Sequence, residues 1–208
     1  MTQSASSETI AGIIVEEIDR AGWTVRDDFV DALDVVQLGR ECRRLWDKDR
    51  LRRAGVGVGR DWQIQTEVRS DRVMWLDPGR LTPAQDRYCR QLESLRLAFN
   101  RAFYLGLFEY EGHFAVYPPG AFYRRHLDQF HGVTHRRISV ILYLNTDWDE
   151  ADGGALRIYL GDDGESEPHD VAPLGGRLVV FQSDRFHHEV LPARAARFSL
   201  TGWLRTRA

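Results

Sequence analysis

The spacing of apolar residues divides the chain into two halves of different period. In the first, Ile10, Ile13, Ile14 and Ile18 recur at three- and four-residue steps behind a serine-rich cap region, which predicts a helix ending near Gly22. A second helix is predicted from about Asp31 to Asp49. A third has the clearest start: Thr82 as N-cap, Pro83 at the first helical position and Gln85 where a capping box wants Glu or Gln. Its stripe of Tyr88, Leu92, Leu95, Phe99 and Phe103 predicts one apolar face packed on something flat.

In the second half the period drops toward two. Short alternating or β-branched runs recur between Gly, Pro and Asp: HFAVYP, FYRRHLD, RRISVILYLN, GGALRIYL, HDVAP, RLVVF, HEVLP and RFSLTGWL. Roughly eight strands in one stretch predict a double-sheet jelly roll (a double-stranded β-helix) or a small barrel, braced from outside by the helices. The expectation is an α+β chain forming a single domain over 1–208, with 1–105 mainly helical support and 106–208 the jelly-roll core. Between the halves, AGVGVG and RSDRVMWLDPG read as a loop and a strand-bearing hairpin. The run GDDGESEPHD reads as a solvated connection, because the acid spacing of a calcium loop is missing.

Composition narrows the function classes. A hydrophobic share of 43% over 208 residues fits one soluble domain. With 28 Lys+Arg against 31 Asp+Glu the net charge is -3, so nucleic acid is not the expected partner. The start lacks a basic flank leading into an apolar run, and nowhere do about 18 uninterrupted apolar residues occur, so no membrane partner and a cytoplasmic location are expected. Cys42 and Cys89 lie in helix-like stretches without CxxC spacing, which supports neither a disulfide framework nor a zinc ribbon. AGVGVG lacks the preceding strand, the third glycine and the Lys-Ser/Thr of nucleotide loops, and reads as a flexible connection.

The chemistry gathers around His126 and Asp128, two apart in a strand-like run, where alternation points both side chains to one face. His188 in HEVLP is the best third partner. Two imidazoles and a carboxylate on one face of an octahedron leave positions open for a cosubstrate and O2, which suits Fe(II). Arg197 follows His188 by nine positions and shares a strand face with Ser199, Thr201 and Trp203. A permanently charged fork pointing into a sheet needs an anion, such as the distal carboxylate of a dicarboxylate. Tyr143, on a face with Arg137, Ser139 and Ile141, is either a further donor to that carboxylate or a core tyrosine, and Tyr117 is in the same position. His113, His131, His135 and His169 have no partner at metal spacing and are expected at the surface or behind the site.

The segments YPPGAFYRRHLD, ISVILYLNTDWDEADGGALRIY and SDRFHHEVLPARAARFSLTGW resemble the 2-oxoglutarate- and Fe(II)-dependent prolyl 4-hydroxylases, in the branch that includes the oxygen-sensing prolyl hydroxylases of animals and their bacterial relatives. The likeness covers about the last half of the chain strongly. It reaches back more thinly through AGVGVG and RSDRVMWLD, which look like the family's mobile substrate-binding loop and the strand after it. The resemblance implies that His126, Asp128 and His188 hold iron, that Arg197 and Tyr143 bind the 2-oxoglutarate tail, and that Tyr117 sits by its chelating end. It further implies that Thr201 and Trp203 line the metal pocket and that Leu156 packs against the cosubstrate. Arg69 and Asp71 match the loop's Arg-x-Asp, with Ser70 where the family often has Gly. HHEV offers both His187 and His188; alternation points them opposite ways, and the step of nine to Arg197 favours His188.

The implied activity is hydroxylation of a prolyl residue in a protein loop to 4-hydroxyproline, consuming O2 and 2-oxoglutarate and releasing succinate and CO2, with ascorbate a candidate auxiliary. Elongation factor Tu is the target associated with bacterial relatives. Two rival readings remain open. One is an oxygenase of the same fold acting on a small molecule or alkylated nucleic acid, although the nucleic-acid demethylases carry a second Arg where Trp203 stands. The other is a non-catalytic metal- or metabolite-sensing module.

Overall fold

The structure is a computed structural model and describes residues 2–56, 63–129, 134–161 and 168–207, with side chains from residue 9 onward. Three long helices are present, α1 (Thr2–Ala21), α2 (Ala32–Asp47) and α3 (Pro83–Phe103). α1 starts at Thr2, so the serine-rich stretch lies inside the helix and not ahead of it. Asp31 caps α2 by accepting the Leu33 N–H at 2.8 Å. The capping box at α3 closes in both directions, Gln85 N–H donating to Thr82 Oγ1 and Thr82 N–H to Gln85 Oε1, each at 3.3 Å.

Among the described residues the strands are β1 (Trp23–Arg26), β2 (Arg52–Arg53), β3 (Arg72–Trp75), β4 (Glu109–Tyr117), β5 (Tyr123–His126), β6 (Arg136–Tyr143), β7 (Leu156–Tyr159), β8 (Pro168–Val171), β9 (Leu178–Gln182), β10 (His188–Val190) and β11 (Arg197–Arg205). They form a seven-stranded major sheet, β1-β9-β6-β11-β4-β3-β2, and a four-stranded minor sheet, β5-β10-β7-β8. The two antiparallel sheets face each other as the jelly roll anticipated from the strand pattern. The major sheet reaches further back than expected: β1 in the helical half pairs with β9, Trp23 opposite Phe181.

Alternation along β4, β6 and β11 sorts residues into two cores. Phe114, Val116, Val140, Leu142, Leu200 and Leu204 face outward and pack with Ile14, Ile18, Leu38, Tyr88, Leu92, Leu95 and Phe99 of the helices. Each such side chain, fully buried, contributes about 1.5–3 kcal/mol. Ala115, Tyr117, Ile141, Tyr143, Val179 and Phe181 face inward, toward Leu156, Ile158, Val171 and Val190 of the minor sheet. Gly112 and Gly202 are paired across β4 and β11, and a Cβ on Gly202 would collide with the Glu111 carbonyl, so this crossing demands glycine. Cys42 is buried, Cys89 is half-buried, and both are free thiols. Among the described residues no helix is long and apolar enough to cross a membrane.

Candidate metal centre and its pocket

His126 ends β5 and His188 begins β10, and the register sets them directly opposite each other. Their ring centroids are 4.3 Å apart. Asp128 Oδ1 lies 3.6 Å from His126 Nε2 and Asp128 Oδ2 lies 3.7 Å from His188 Nε2. One ligand atom from each of the three falls within 4.8 Å of the others, a grouping with no second example among the described residues. The sequence argument placed His126 and Asp128 on one strand face. The strand in fact stops at His126, and Asp128 reaches the site from the bend that follows, where the Ser139 hydroxyl donates to it at 2.6 Å.

The backbone sets the tautomers. His126 Nδ1 lies 2.7 Å from the Arg124 carbonyl and His188 Nδ1 lies 3.1 Å from that of Phe186. A carbonyl only accepts, so each Nδ1 donates to it and each Nε2 faces Asp128. Burial pushes His188 down to about 4, helped by its neighbour His126. Burial alone would push the Asp128 carboxyl up, but His188, His126 and the Ser139 hydroxyl together hold it far below the ordinary range. Two imidazole nitrogens and an ionised carboxylate converge, a donor set that suits a divalent cation. His187 is half-buried and stands outside this group.

Arg197 is only 1% exposed. Its guanidinium sits 5.0 Å from the Tyr117 ring centroid and 4.8 Å from that of Tyr143. Its Nε has no hydrogen-bond partner, and neither has the Tyr143 hydroxyl behind it. Among the described residues no carboxylate forms an ion pair with it. Tyr117, Leu156, Arg197, Thr201 and Trp203 line the same cavity as His126, Asp128 and His188, so these predicted residues are brought together, with Tyr143 supporting Arg197 from behind.

At the rim, Arg69 grips Asp71 with two bonds, Nε to Oδ1 at 2.7 Å and Nη2 to Oδ2 at 2.6 Å, and covers the Tyr123 ring at 4.1 Å. Arg69 lines the cavity; Asp71 is buried beside it. Ser70, where glycine is frequent in the family, is used: its hydroxyl accepts the Phe122 N–H at 3.1 Å. With Ser70 N–H to the Phe122 carbonyl and Arg124 N–H to that of Val68, this segment runs stitched beside β5. Half of AGVGVG, like His131 and most of GDDGESEPHD, lies outside the described residues.

Sequence reasoning missed several members. His113 was expected at the surface or behind the site. It is 3% exposed and lines the cavity, its ring 4.6 Å from Trp75 and 5.6 Å from Trp203. Burial, with the charges of Arg69 and Arg136, pushes it down to about 3. The signal was available, since counting back by twos from Tyr117 puts His113 on the inner face. Tyr123, stacked on His126 at 3.6 Å, and Arg136, 3.6 Å over Trp203, were missed as well. His135 is half-buried and His169 is exposed.

Comparison with known proteins agrees with this geometry. The family described as the 2OG-Fe(II) oxygenase superfamily matches residues 112–205. Egl nine homolog 1 of Homo sapiens is 32% identical over 205 residues, 91% of this chain and 45% of that protein. The chain spans about half the length of the curated relatives it matches. The crystal structure of a Pseudomonas putida prolyl-4-hydroxylase is 42% identical with a TM-score of 0.85, covering 95% of this chain and 100% of that one. A Trichoplax adhaerens prolyl hydroxylase, in complex with a hypoxia inducible factor oxygen degradation domain peptide fragment, shares the fold at 24% identity and a TM-score of 0.86, over 99% of this chain and 93% of that one. The paired His126 and His188, the Asp128 carboxylate between them and the buried Arg197 thus sit in a chain that belongs to the prolyl hydroxylase family of the 2OG-Fe(II) oxygenase superfamily.

Proposed function

We propose that this chain is a 2-oxoglutarate-dependent dioxygenase that hydroxylates a prolyl residue of a protein to 4-hydroxyproline, with elongation factor Tu as the target. The observation that carries the reading is Arg197: a buried guanidinium whose Nε has no partner, beside a tyrosine hydroxyl that has none either. An uncompensated charge in an apolar wall is costly, and the distal carboxylate of 2-oxoglutarate is the anion that would relieve it. The donor set of His126, Asp128 and His188, two imidazole nitrogens and one ionised oxygen within 4.8 Å of one another, fits Fe(II).

In this reading His126, Asp128 and His188 hold the iron. Arg197 takes the carboxylate tail of 2-oxoglutarate through charge-assisted bonds, with Tyr143 as a further donor. Leu156 and Tyr117 wall the cosubstrate, Thr201 and Trp203 close the metal pocket, and Asp71 aims Arg69 at the entrance. When bound, the iron with 2-oxoglutarate and O2 supplies the oxidising power, and succinate and CO2 are released. The two free cysteines accord with a reducing compartment such as the cytoplasm.

Incubating the protein with Fe(II), 2-oxoglutarate and purified elongation factor Tu should form succinate and add one oxygen atom to a proline, located by fragment mass spectrometry. Succinate with an unmodified factor would remove the proposed target; no succinate under any condition would remove the activity.

A further inference from the structure

The inner face of the major sheet holds a second pair of buried polar atoms that the metal and cosubstrate assignments leave unused. His113 Nδ1 and Trp203 Nε1 are enclosed, and neither has a hydrogen-bond partner. The residues are 3% and 6% exposed, their ring centroids lie 5.6 Å apart, and both line the cavity that holds His126, Asp128 and His188. The register places His113 opposite Thr201, two residues from Trp203 on the same face. Trp75 packs on His113 from one side and the Arg136 guanidinium covers Trp203 from the other.

Each unpaired buried donor or acceptor costs about 1–3 kcal/mol, so the pair marks a place where a ligand gains by binding. Its chemistry is specific. The Trp203 indole N–H only donates. The His113 ring, held neutral by burial and by the Arg69 and Arg136 charges, has one nitrogen that accepts. The matching ligand offers an acceptor and a donor side by side. An extended peptide residue does this, because its N–H and C=O point to the same side. Proline has no N–H, so this reading must fall on a neighbour, and the residue before a proline is already held extended by the ring.

We propose that His113 and Trp203 read the backbone of a residue flanking the target proline, His113 accepting its N–H and Trp203 donating to its carbonyl. The proposal rests on the prolyl hydroxylase reading above and deepens it: this pair, and not the iron, recognises peptide.

The test uses the full chain loaded with Zn(II) and 2-oxoglutarate, which blocks turnover. Acetyl-Ala-Pro-Ala-amide and two analogues, each N-methylated at one alanine, are titrated while the Trp203 indole ¹H–¹⁵N signal is followed. One N-methylation should weaken binding to the parent protein about 5- to 10-fold, the worth of one hydrogen bond, and the unmodified peptide should move the Trp203 signal. His113→Phe should lose the same factor for the unmodified peptide and become indifferent to methylation. His113→Asn, which keeps a polar atom near the ring's Nδ1, should retain more of the discrimination. The proposal is overturned if both methylated analogues bind the parent as tightly as the unmodified peptide, or if His113→Phe keeps the discrimination. A parent protein that takes neither Zn(II) nor 2-oxoglutarate overturns the function reading itself; one that takes both and shows no discrimination overturns only this pair.

Discussion

The two faces of the major sheet are built from the same strands and are chemically opposite. On β11, Phe198, Leu200 and Leu204 enter the helix-backed core, while Arg197, Ser199, Thr201 and Trp203 alternate with them and face the cavity. The outer face buries mainly carbon against carbon, with the Tyr88 and Tyr110 hydroxyls enclosed among it. The inner face buries Arg197 Nε, Tyr143 Oη, His113 Nδ1 and Trp203 Nε1 without partners. The difference teaches that one layer supplies the stability that lets the other keep unsatisfied polar atoms in place for ligands.

Substitutions three residues apart on one strand should separate these roles. Leu200→Ala empties a fully buried site in the outer core and should cost about 2–5 kcal/mol, read as a lower denaturation midpoint with unchanged 2-oxoglutarate affinity per folded molecule. Arg197→Ala should behave the other way. Losing a charge-assisted grip worth about 1.5–3 kcal/mol raises the 2-oxoglutarate requirement about 10- to 100-fold, while the ligand-free midpoint holds or rises because a buried unpaired charge is gone. If Arg197→Ala unfolds the protein as readily as Leu200→Ala, the contrast between the faces is wrong.

A further test is a pH slope. His113 takes a proton near 6.5 when unfolded and near 3 when folded. Above the unfolded value neither state holds it, so stability is complete there. As pH falls between the two values the unfolded chain binds a proton the native state refuses, and stability drops by up to about 1.4 kcal/mol per pH unit from this group. In metal-free protein, His113→Phe should therefore show a shallower acid loss of unfolding free energy; parallel slopes would mean that the imidazole is not held neutral.

Local rules carried the reading where the signal was local. The capping box at Thr82 and Gln85 and the stripe on α3 depend on residues within a turn or two of each other, and formed as expected. The pairing within RRHLD was legible too, since His126 and Asp128 lie two apart in sequence, although the bend that delivers Asp128 was not. What failed depends on distant partners. β1 is four residues whose strand state is fixed by pairing with β9 at the other end of the chain. His113 owes its burial to Trp75 and Trp203, from two strands that sequence order does not place beside it. The third ligand is the instructive middle case: His188 is far from His126 in sequence, and a resemblance over several ordered motifs was needed to choose it over His187.

Val68 to Ser70 runs along the free edge of β5, whose last residue is His126 and whose Tyr123 ring lies flat on that imidazole. The gatepost and the anchor are therefore one piece of joinery: prising the first away from β5 frees the backbone groups of Phe122 and Arg124 and loosens the seat of the second. Arg69 lies over the Tyr123 ring, three residues along β5 from His126, so the doorway and the socket are carried by one short strand.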